Sequence, residues 1–252
     1  ADRVGIAVWN GTEFVLLTGN QTGALLADYV LSQKELDENA VVIKTIVTSE
    51  LGADIAEAHG AEVMNVLTGF KYIGEVILNL EKNNEENRYL FGFEESYGYL
   101  AGSYVRDKDA VNGSMLICEM AAFYKKQGKT ILDALDGLYE TYGQFLSKVQ
   151  SIELTGADAM EKAAAMMANL RSQIPESIGG AKVTCVRDYK SRIEKNTVTG
   201  EETNITLPAS NVLEFILGES GSVIARPSGT EPKVKFYYTA VSNTKTAAQE
   251  LL

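Results

Sequence analysis

The sequence predicts a three-layer α/β/α domain with a mixed, mostly parallel sheet, followed by a smaller α+β domain whose sheet is mostly antiparallel. Three observations carry this expectation. β-Branched runs alternate with helix-period segments as far as Tyr142, the order in which a mostly parallel sheet acquires its covering helices. Beyond Gly143 strand patterns dominate, and Val234, Phe236, Tyr238 and Ala240 alternate with Lys233, Lys235, Tyr237 and Thr239, as in a sheet covered on one side. A chain of 252 residues with 45% apolar content also allows two compact cores.

Taken in order, residues 4–8 read as a strand, Asn10-Gly11 as a tight turn and residues 14–17 as the hairpin partner, because Asn-Gly supplies the positive φ such turns need. Thr18 or Asn20 caps a helix in which Leu25, Leu26, Tyr29 and Val30 recur at helical spacing. Residues 41–48 form a β-branched strand, Ser49 caps a helix to about His59, and Gly60 ends it. Strands at 61–67 and 89–93 flank a helix at 70–80, and helices at 110–126 and 131–142 follow, parted by Gly128. The pattern changes near residues 143–148, where a boundary and a hinge over 143–147 are expected. Beyond it lie a strand at 145–154, a helix at 157–170 with Met160, Ala163, Met167 and Leu170 on one face, and strands at 182–189, 212–217, 222–225 and 233–241. A last helix begins near Thr244.

Acidic residues outnumber basic ones by 34 to 23, for a formal net charge of -11, which argues against nucleic acid or an anionic membrane as partner. Any anion must be held locally. Cys118 and Cys185 belong to no paired metal-ligand spacing and read as reduced and buried. No apolar run approaches a membrane span and no leader-like segment opens the chain, so a cytoplasmic protein is expected. The opening Ala1-Asp2-Arg3 lacks an initiator Met and runs directly into strand-like sequence, as a cut inside a longer protein would.

Three segments carry chemistry. Arg226-Pro227-Ser228-Gly229-Thr230-Glu231-Pro232 offers a guanidinium fork, two hydroxyls and a glycine at which backbone can approach a phosphate; composition alone favours a polar hairpin turn. Gly92-Phe93-Glu94-Glu95-Ser96-Tyr97-Gly98-Tyr99 follows a strand end, where open α/β sheets place ligand loops, and its carboxylate and hydroxyl suit vicinal sugar hydroxyls; the bland alternative is a solvated acidic loop. Thr68-Gly69-Phe70-Lys71 starts a helix after a strand, a setting for an anion, and Arg106-Asp107-Lys108-Asp109 precedes the long helix, where a charge run is ordinarily a solvated cap. His59 sits at a helix end, where a protonated ring complements the dipole, and no catalytic role is assigned to it.

Together, in this order and context, these segments resemble the α-D-phosphohexomutase superfamily, and within it the bacterial phosphoglucomutases, over essentially the whole chain. The resemblance implies that residues 1–14 end a second, metal-binding domain, that 15–143 form the third, sugar-binding domain, and that 144–252 form the fourth, phosphate-binding domain. Ala1-Asp2-Arg3 resembles the end of the family's Asp-x-Asp-x-Asp-Arg metal loop, of which Asp2 alone remains, and the phosphorylated serine loop of the first domain is absent. One carboxylate holds magnesium poorly.

By the same resemblance, a phosphoserine gives its phosphate to a hexose phosphate, the bisphosphate turns over in the site, and the other phosphate returns to the serine. Glu94 and Ser96 would grip sugar hydroxyls, Thr68, Gly69 and Arg106 would line the site, and Arg226, Ser228, Gly229 and Thr230 would hold the phosphate not in transfer. Lys108, with Lys71 as second candidate, would exchange a proton, Arg3 would face the transferring phosphate, and Asp2 would be the metal ligand. Mg2+ and glucose 1,6-bisphosphate would be cofactor and intermediate, hexose phosphate the substrate, and the missing amino-terminal domains of the same chain the partner. The chain alone would be inactive. A non-catalytic sugar-phosphate-binding module, and a phosphomannomutase, phosphopentomutase or bisphosphate synthase of the same superfamily, stay open as alternatives.

Overall fold

The computed structural model describes residues 2–34, 36 and 39–252, and the chain divides into two compact units after Tyr142. The first opens with an antiparallel hairpin, β1 (Ala7–Trp9) and β2 (Phe14–Leu16). The first strand begins later than residue 4 because Val4 N–H donates instead to Tyr97 O (3.2 Å). The turn is longer than Asn10-Gly11: Asn10 Oδ1 accepts from the N–H groups of Thr12 and Glu13, an Asx turn that spaces the strands.

Thr18 caps α1 (Gly19–Ser32) in a reciprocal box with Gln21, which leaves Asn20 Oδ1 to accept from Ser49 N–H at 3.1 Å. β3 (Val41–Thr45) ends short of Thr48, whose N–H turns back to Thr45 O at 2.9 Å. Glu50, rather than Ser49, is the residue before α2 (Leu51–Ala58); Ser49 Oγ only accepts from Leu51 N–H at 3.3 Å. β4 (Glu62–Val66), α3 (Phe70–Lys82), β5 (Tyr89–Glu94), β6 (Gly98–Ala101), α4 (Ala110–Lys126) and α5 (Ile131–Tyr142) complete the unit.

The sheet order is β4-β3-β5-β6, with β3 parallel to both neighbours and β6 antiparallel to β5. Strand β6 lies inside the segment read as a loop, and buried Tyr99 and Leu100 mark it as a strand. Every residue of β3 is buried, as in a sheet covered on both faces. One face packs Val41 and Ile43 under Phe70, Ile73 and Ile77 of α3. On the other, Phe93 fills space left by Gly23 of α1 and Gly52 of α2. The buried Lys44 discharges its Nζ into Thr48 O (3.2 Å) and Glu50 Oε1 (2.8 Å).

The second unit comprises β7 (Gln144–Glu153), α6 (Ala159–Ser172), β8 (Ser177–Ile178), β9 (Ala181–Lys182), β10 (Cys185–Asp188), β11 (Ile193–Asn196), β12 (Glu202–Asn204), β13 (Leu213–Ile216), β14 (Gly221–Pro227), β15 (Lys233–Ser242) and α7 (Lys245–Leu251). Seven strands pair in the order β12-β11-β10-β13-β14-β15-β7, all antiparallel. The strand expected over 182–189 breaks because consecutive N–H groups change partner, Val183 donating to Glu176 O and Thr184 to Ile216 O. The short, charged β11 and β12 escape the period-two pattern altogether.

Ala163 and Met167 of α6 pack on Val186, Phe215, Val223 and Val234. Phe236 and Tyr238 join that core, but Tyr237 on the opposite face is buried as well, so β15 is not simply half-covered. Residues 144–147 are zipped to 239–242, which leaves Gly143 (φ +92°) as the one residue of the expected hinge outside a strand. Neither cysteine is fully buried: Cys118 is exposed on the face of α4 that carries Val111 and Met115, and Cys185 is half-buried; both are free thiols.

Candidate functional site

Strand β5 ends on Glu94 and β6 starts on Gly98, which pair directly, so residues 95–97 make the turn between them. Tyr97 takes a left-handed φ of +66°, a conformation costing a bulky side chain about 1–3 kcal/mol. Gly98 is required by packing: a β-carbon there would stand 2.5 Å from Lys108 Cδ and 2.9 Å from Glu94 Oε1.

The Glu94 carboxylate is almost wholly buried. Its Oε1 lies 3.7 Å from Lys108 Nζ and 3.8 Å from an Arg3 guanidinium nitrogen, and it makes no hydrogen bond among the described residues. Burial pushes this carboxyl above its ordinary pKa, against the pull of Lys108 and Arg3. Lys108 Nζ also meets Asp107 (3.2 Å) and Asp2 (3.4 Å) and stands 5.6 Å from the centroid of the Phe70 ring. Burial works against its charge, but Asp107, Glu94 and Asp2 together raise its pKa. That direction runs against the lowered value a proton exchange calls for, and Lys108 stands here as a held cation.

Gly69, at φ +123°, turns the chain from β4 into α3, and Thr68 Oγ1 is buried without a hydrogen bond among the described residues. Phe70, the next residue, lies beneath Lys108, so this turn borders the Glu94 cluster. Lys71 is exposed, with Nζ 4.8 Å from the Tyr72 ring centroid. Arg106 is committed elsewhere: its guanidinium donates to Ser103 O and pairs with Glu81 of α3, and its carbonyl closes on Gly74. The structure thus gathers Asp2, Arg3, Glu94 and Lys108, with the Phe70 ring that follows Thr68-Gly69 near Lys108, and turns Arg106 and Lys71 to neighbours of their own.

In the second unit, Arg226 and Pro227 belong to β14, opposite Lys235 and Val234, and only residues 228–232 form the loop. Ser228 Oγ accepts from Thr230 N–H (3.4 Å) and Glu231 N–H (3.2 Å), while Ser228 N–H donates to Lys233 O. A β-carbon at Gly229 would meet nothing within 4 Å, so backbone is open to solvent there. Lys233, 2.6 Å from Glu231, holds that carboxylate below its usual pKa.

Sequence reasoning passed over Gly19, Glu95 and Gly98. Gly19 lies against the backbone of Glu95, and Ser96 Oγ donates to Glu95 Oε1 at 2.8 Å. Gly98 was visible within the quoted motif; Gly19 carried no local signal. For magnesium the fit fails: Asp2 offers a single, mostly exposed carboxylate, and the described residues contain no group of three metal-ligating side chains.

The first unit thus carries an acidic, hydroxyl-bearing turn at a sheet end with cations beside it, and the second unit carries a separate Arg-Ser-Gly-Thr loop. Comparison with known proteins names the family. Residues 18–142 match the phosphoglucomutase/phosphomannomutase alpha/beta/alpha domain III, and residues 181–251 match the C-terminal domain of the same family. The phosphoglucomutase of Staphylococcus haemolyticus is 39% identical over 234 residues, which cover 92% of this chain and 42% of that protein. The exocytosis-sensitive phosphoprotein parafusin, a phosphoglucomutase of Paramecium, superposes in its open form with TM-score 0.69 at 18% identity, over 100% of this chain and 41% of the other. The N-acetylphosphoglucosamine mutase of Aspergillus fumigatus, in complex with GlcNAc-6P and magnesium, superposes with TM-score 0.51 at 15% identity, over 100% of this chain and 45% of that one. The chain belongs to the phosphoglucomutase/phosphomannomutase family and spans less than half the length of the curated relatives it matches.

Proposed function

We propose that this chain is the carboxy-terminal, sugar- and phosphate-holding part of a cytoplasmic phosphoglucomutase that interconverts glucose 1-phosphate and glucose 6-phosphate through a phosphoserine and a bisphosphorylated sugar. The observation that carries it is Glu94 Oε1: a buried carboxylate oxygen beside two cations, with no hydrogen-bond donor among the described residues. A sugar hydroxyl supplies the missing donor, and without one such an atom is costly to bury.

On this reading Glu94 and Ser96 orient the sugar, with Thr68 and Gly69 lining the site. Arg226, Ser228, Gly229 and Thr230 hold the phosphate that is not moving. Lys108 and Arg3 are fixed positive charges that favour the transferring phosphoryl group, and charge stabilisation of that kind carries most of phosphoryl-transfer catalysis. Arg106 acts through the loop it braces against Glu81, and Lys71, the second candidate of the sequence, is the lysine left to exchange a proton. Magnesium would supply further charge neutralisation, but Asp2 alone does not fit it. On this reading the phosphorylated serine belongs to another part of the full-length enzyme, and the chain by itself performs no turnover.

Calorimetric titration with glucose 1,6-bisphosphate, alongside Arg226→Ala, tests the reading. Binding by the chain that falls at least tenfold in the variant supports it, since a bidentate phosphate contact is worth about 1.5–3 kcal/mol. Equal affinity in both proteins refutes the phosphate-loop assignment. Isomerisation by the purified chain alone refutes the need for an outside serine.

A further inference from the structure

We infer that Glu95 is a positioning residue that fixes the polarity of Ser96, so that the turn recognises its sugar by accepting hydrogen bonds only. This rests on the reading of the 94–97 turn as the sugar loop. Ser96 has one hydroxyl proton, and Oγ donates it to Glu95 Oε1 at 2.8 Å. The lone pairs that remain on Ser96 Oγ can only accept. Glu94, the other sugar-facing group, is an ionisable carboxylate whose Oε1 also lacks a donor. Two residues of one turn therefore both present acceptors, which matches a pair of vicinal hydroxyls that both donate.

The arrangement is built. The Glu95 backbone is seated against Gly19, where a β-carbon would collide with the Glu95 carbonyl. Glu95 Oε2 is buried and has no hydrogen-bond partner among the described residues, so the Ser96 hydroxyl is the one side-chain donor this carboxylate takes. Tyr97, at φ +66°, then turns the chain so that Gly98 pairs back with Glu94. Glu95 does not touch the sugar in this scheme; it spends the proton that would otherwise let Ser96 act as a donor.

The test is steady-state kinetics of the full-length protein on glucose 1-phosphate and on its 3-deoxy-3-fluoro and 4-deoxy-4-fluoro analogues, in which fluorine cannot donate. The wild type loses about tenfold in kcat/KM on the analogue that lacks the hydroxyl facing Ser96, the size of one hydrogen bond to a polar group. In Glu95→Met no side-chain acceptor remains for the Ser96 hydroxyl, and the serine proton is free to point at the sugar. KM for the parent sugar then rises about tenfold with kcat within about twofold, as for an interaction equal in ground and transition states, and the fluoro penalty shrinks. Ser96→Ala erases the same penalty, and the double variant is no worse than Ser96→Ala alone. If Glu95→Met keeps the wild-type KM and fluoro penalty, or if the two substitutions multiply, Glu95 has no such role although the functional reading stands. A wild-type protein that turns over no hexose phosphate removes both.

Discussion

Gly19, the first residue of α1, presses so closely on the carbonyl of Glu95 that a β-carbon in its place would overlap it, and Tyr99 Oη closes the contact by donating to Gly19 O at 3.3 Å. The helix start and the turn that follows β5 are thus one packed unit. Gly19→Ala must move one against the other. It is expected to cost about 1–3 kcal/mol of stability, as overpacking does, and to weaken bisphosphate binding in the same protein. A variant that melts like the wild type would show that the turn gives way freely.

Phe93 lies between two glycines on different helices, Gly23 and Gly52, each of which would drive a β-carbon into its ring. Gly23→Ala should destabilise by about 1–3 kcal/mol and Phe93→Ala by about 3–5 kcal/mol, by overpacking and cavity formation respectively. Gly23→Ala combined with Phe93→Leu should cost less than the two single changes added together, because they share one contact. Urea titration of the wild type, Gly23→Ala, Phe93→Leu and the double variant would show this coupling, and strictly additive losses would exclude it.

Burial opposes the charge of Glu94. Its folded-state pKa is raised above 4.5 by burial, so its ionisation takes stability away as pH rises from 4.5 through that higher value. Glu94→Gln removes the penalty. The unliganded protein should melt at or above the wild-type temperature at neutral pH while losing affinity for sugar phosphate. A melting temperature several degrees lower would mean that Lys108 and Arg3 depend on this charge for the fold.

Two carboxylates at helix starts behave in the opposite sense. Asp109 accepts from Tyr104 Oη and from the N–H groups of Val111 and Asn112 at the start of α4, and Asp133 accepts from the N–H and hydroxyl of Thr130. Both carboxyls sit below 3.8, Asp109 chiefly through the tyrosine hydroxyl and Asp133 chiefly through the Thr130 N–H. Their contribution is complete above 3.8 and is lost as pH falls through the lower folded-state values. Asp109→Asn and Asp133→Asn should flatten the acid limb of a stability profile by a few degrees in Tm each; an unchanged limb would assign acid sensitivity to other groups.

The helices α4 and α5 could be read to the residue because their apolar spacing, the Asp109 cap and Gly128 agree with one another. The strand β6 could not, since Gly98 and Tyr99 belong to a motif whose polar neighbours suggested a loop, and only pairing with β5 reveals the strand. In the site, Glu94 and Ser96 stood out in sequence by residue type. Glu95 was quoted in the motif without a role, and the seating of its backbone against Gly19, distant in sequence, shows only in the fold. The direction of the Lys108 shift likewise depends on Asp2, Glu94 and Asp107 meeting at one nitrogen, which no local pattern announces.

The pairing of β7 with β15 joins the first strand of the carboxy-terminal domain to its last over ten register positions, Gln144 with Ser242 through Glu153 with Lys233. During synthesis β7 leaves the ribosome long before its partner exists. It must wait with an unpaired edge while the intervening hairpins form, and non-local closure of this kind is slow. The domain is therefore most exposed to aggregation in the nascent chain, and the arrival of β15 closes one edge of β7 and leaves the other as the edge of the finished sheet.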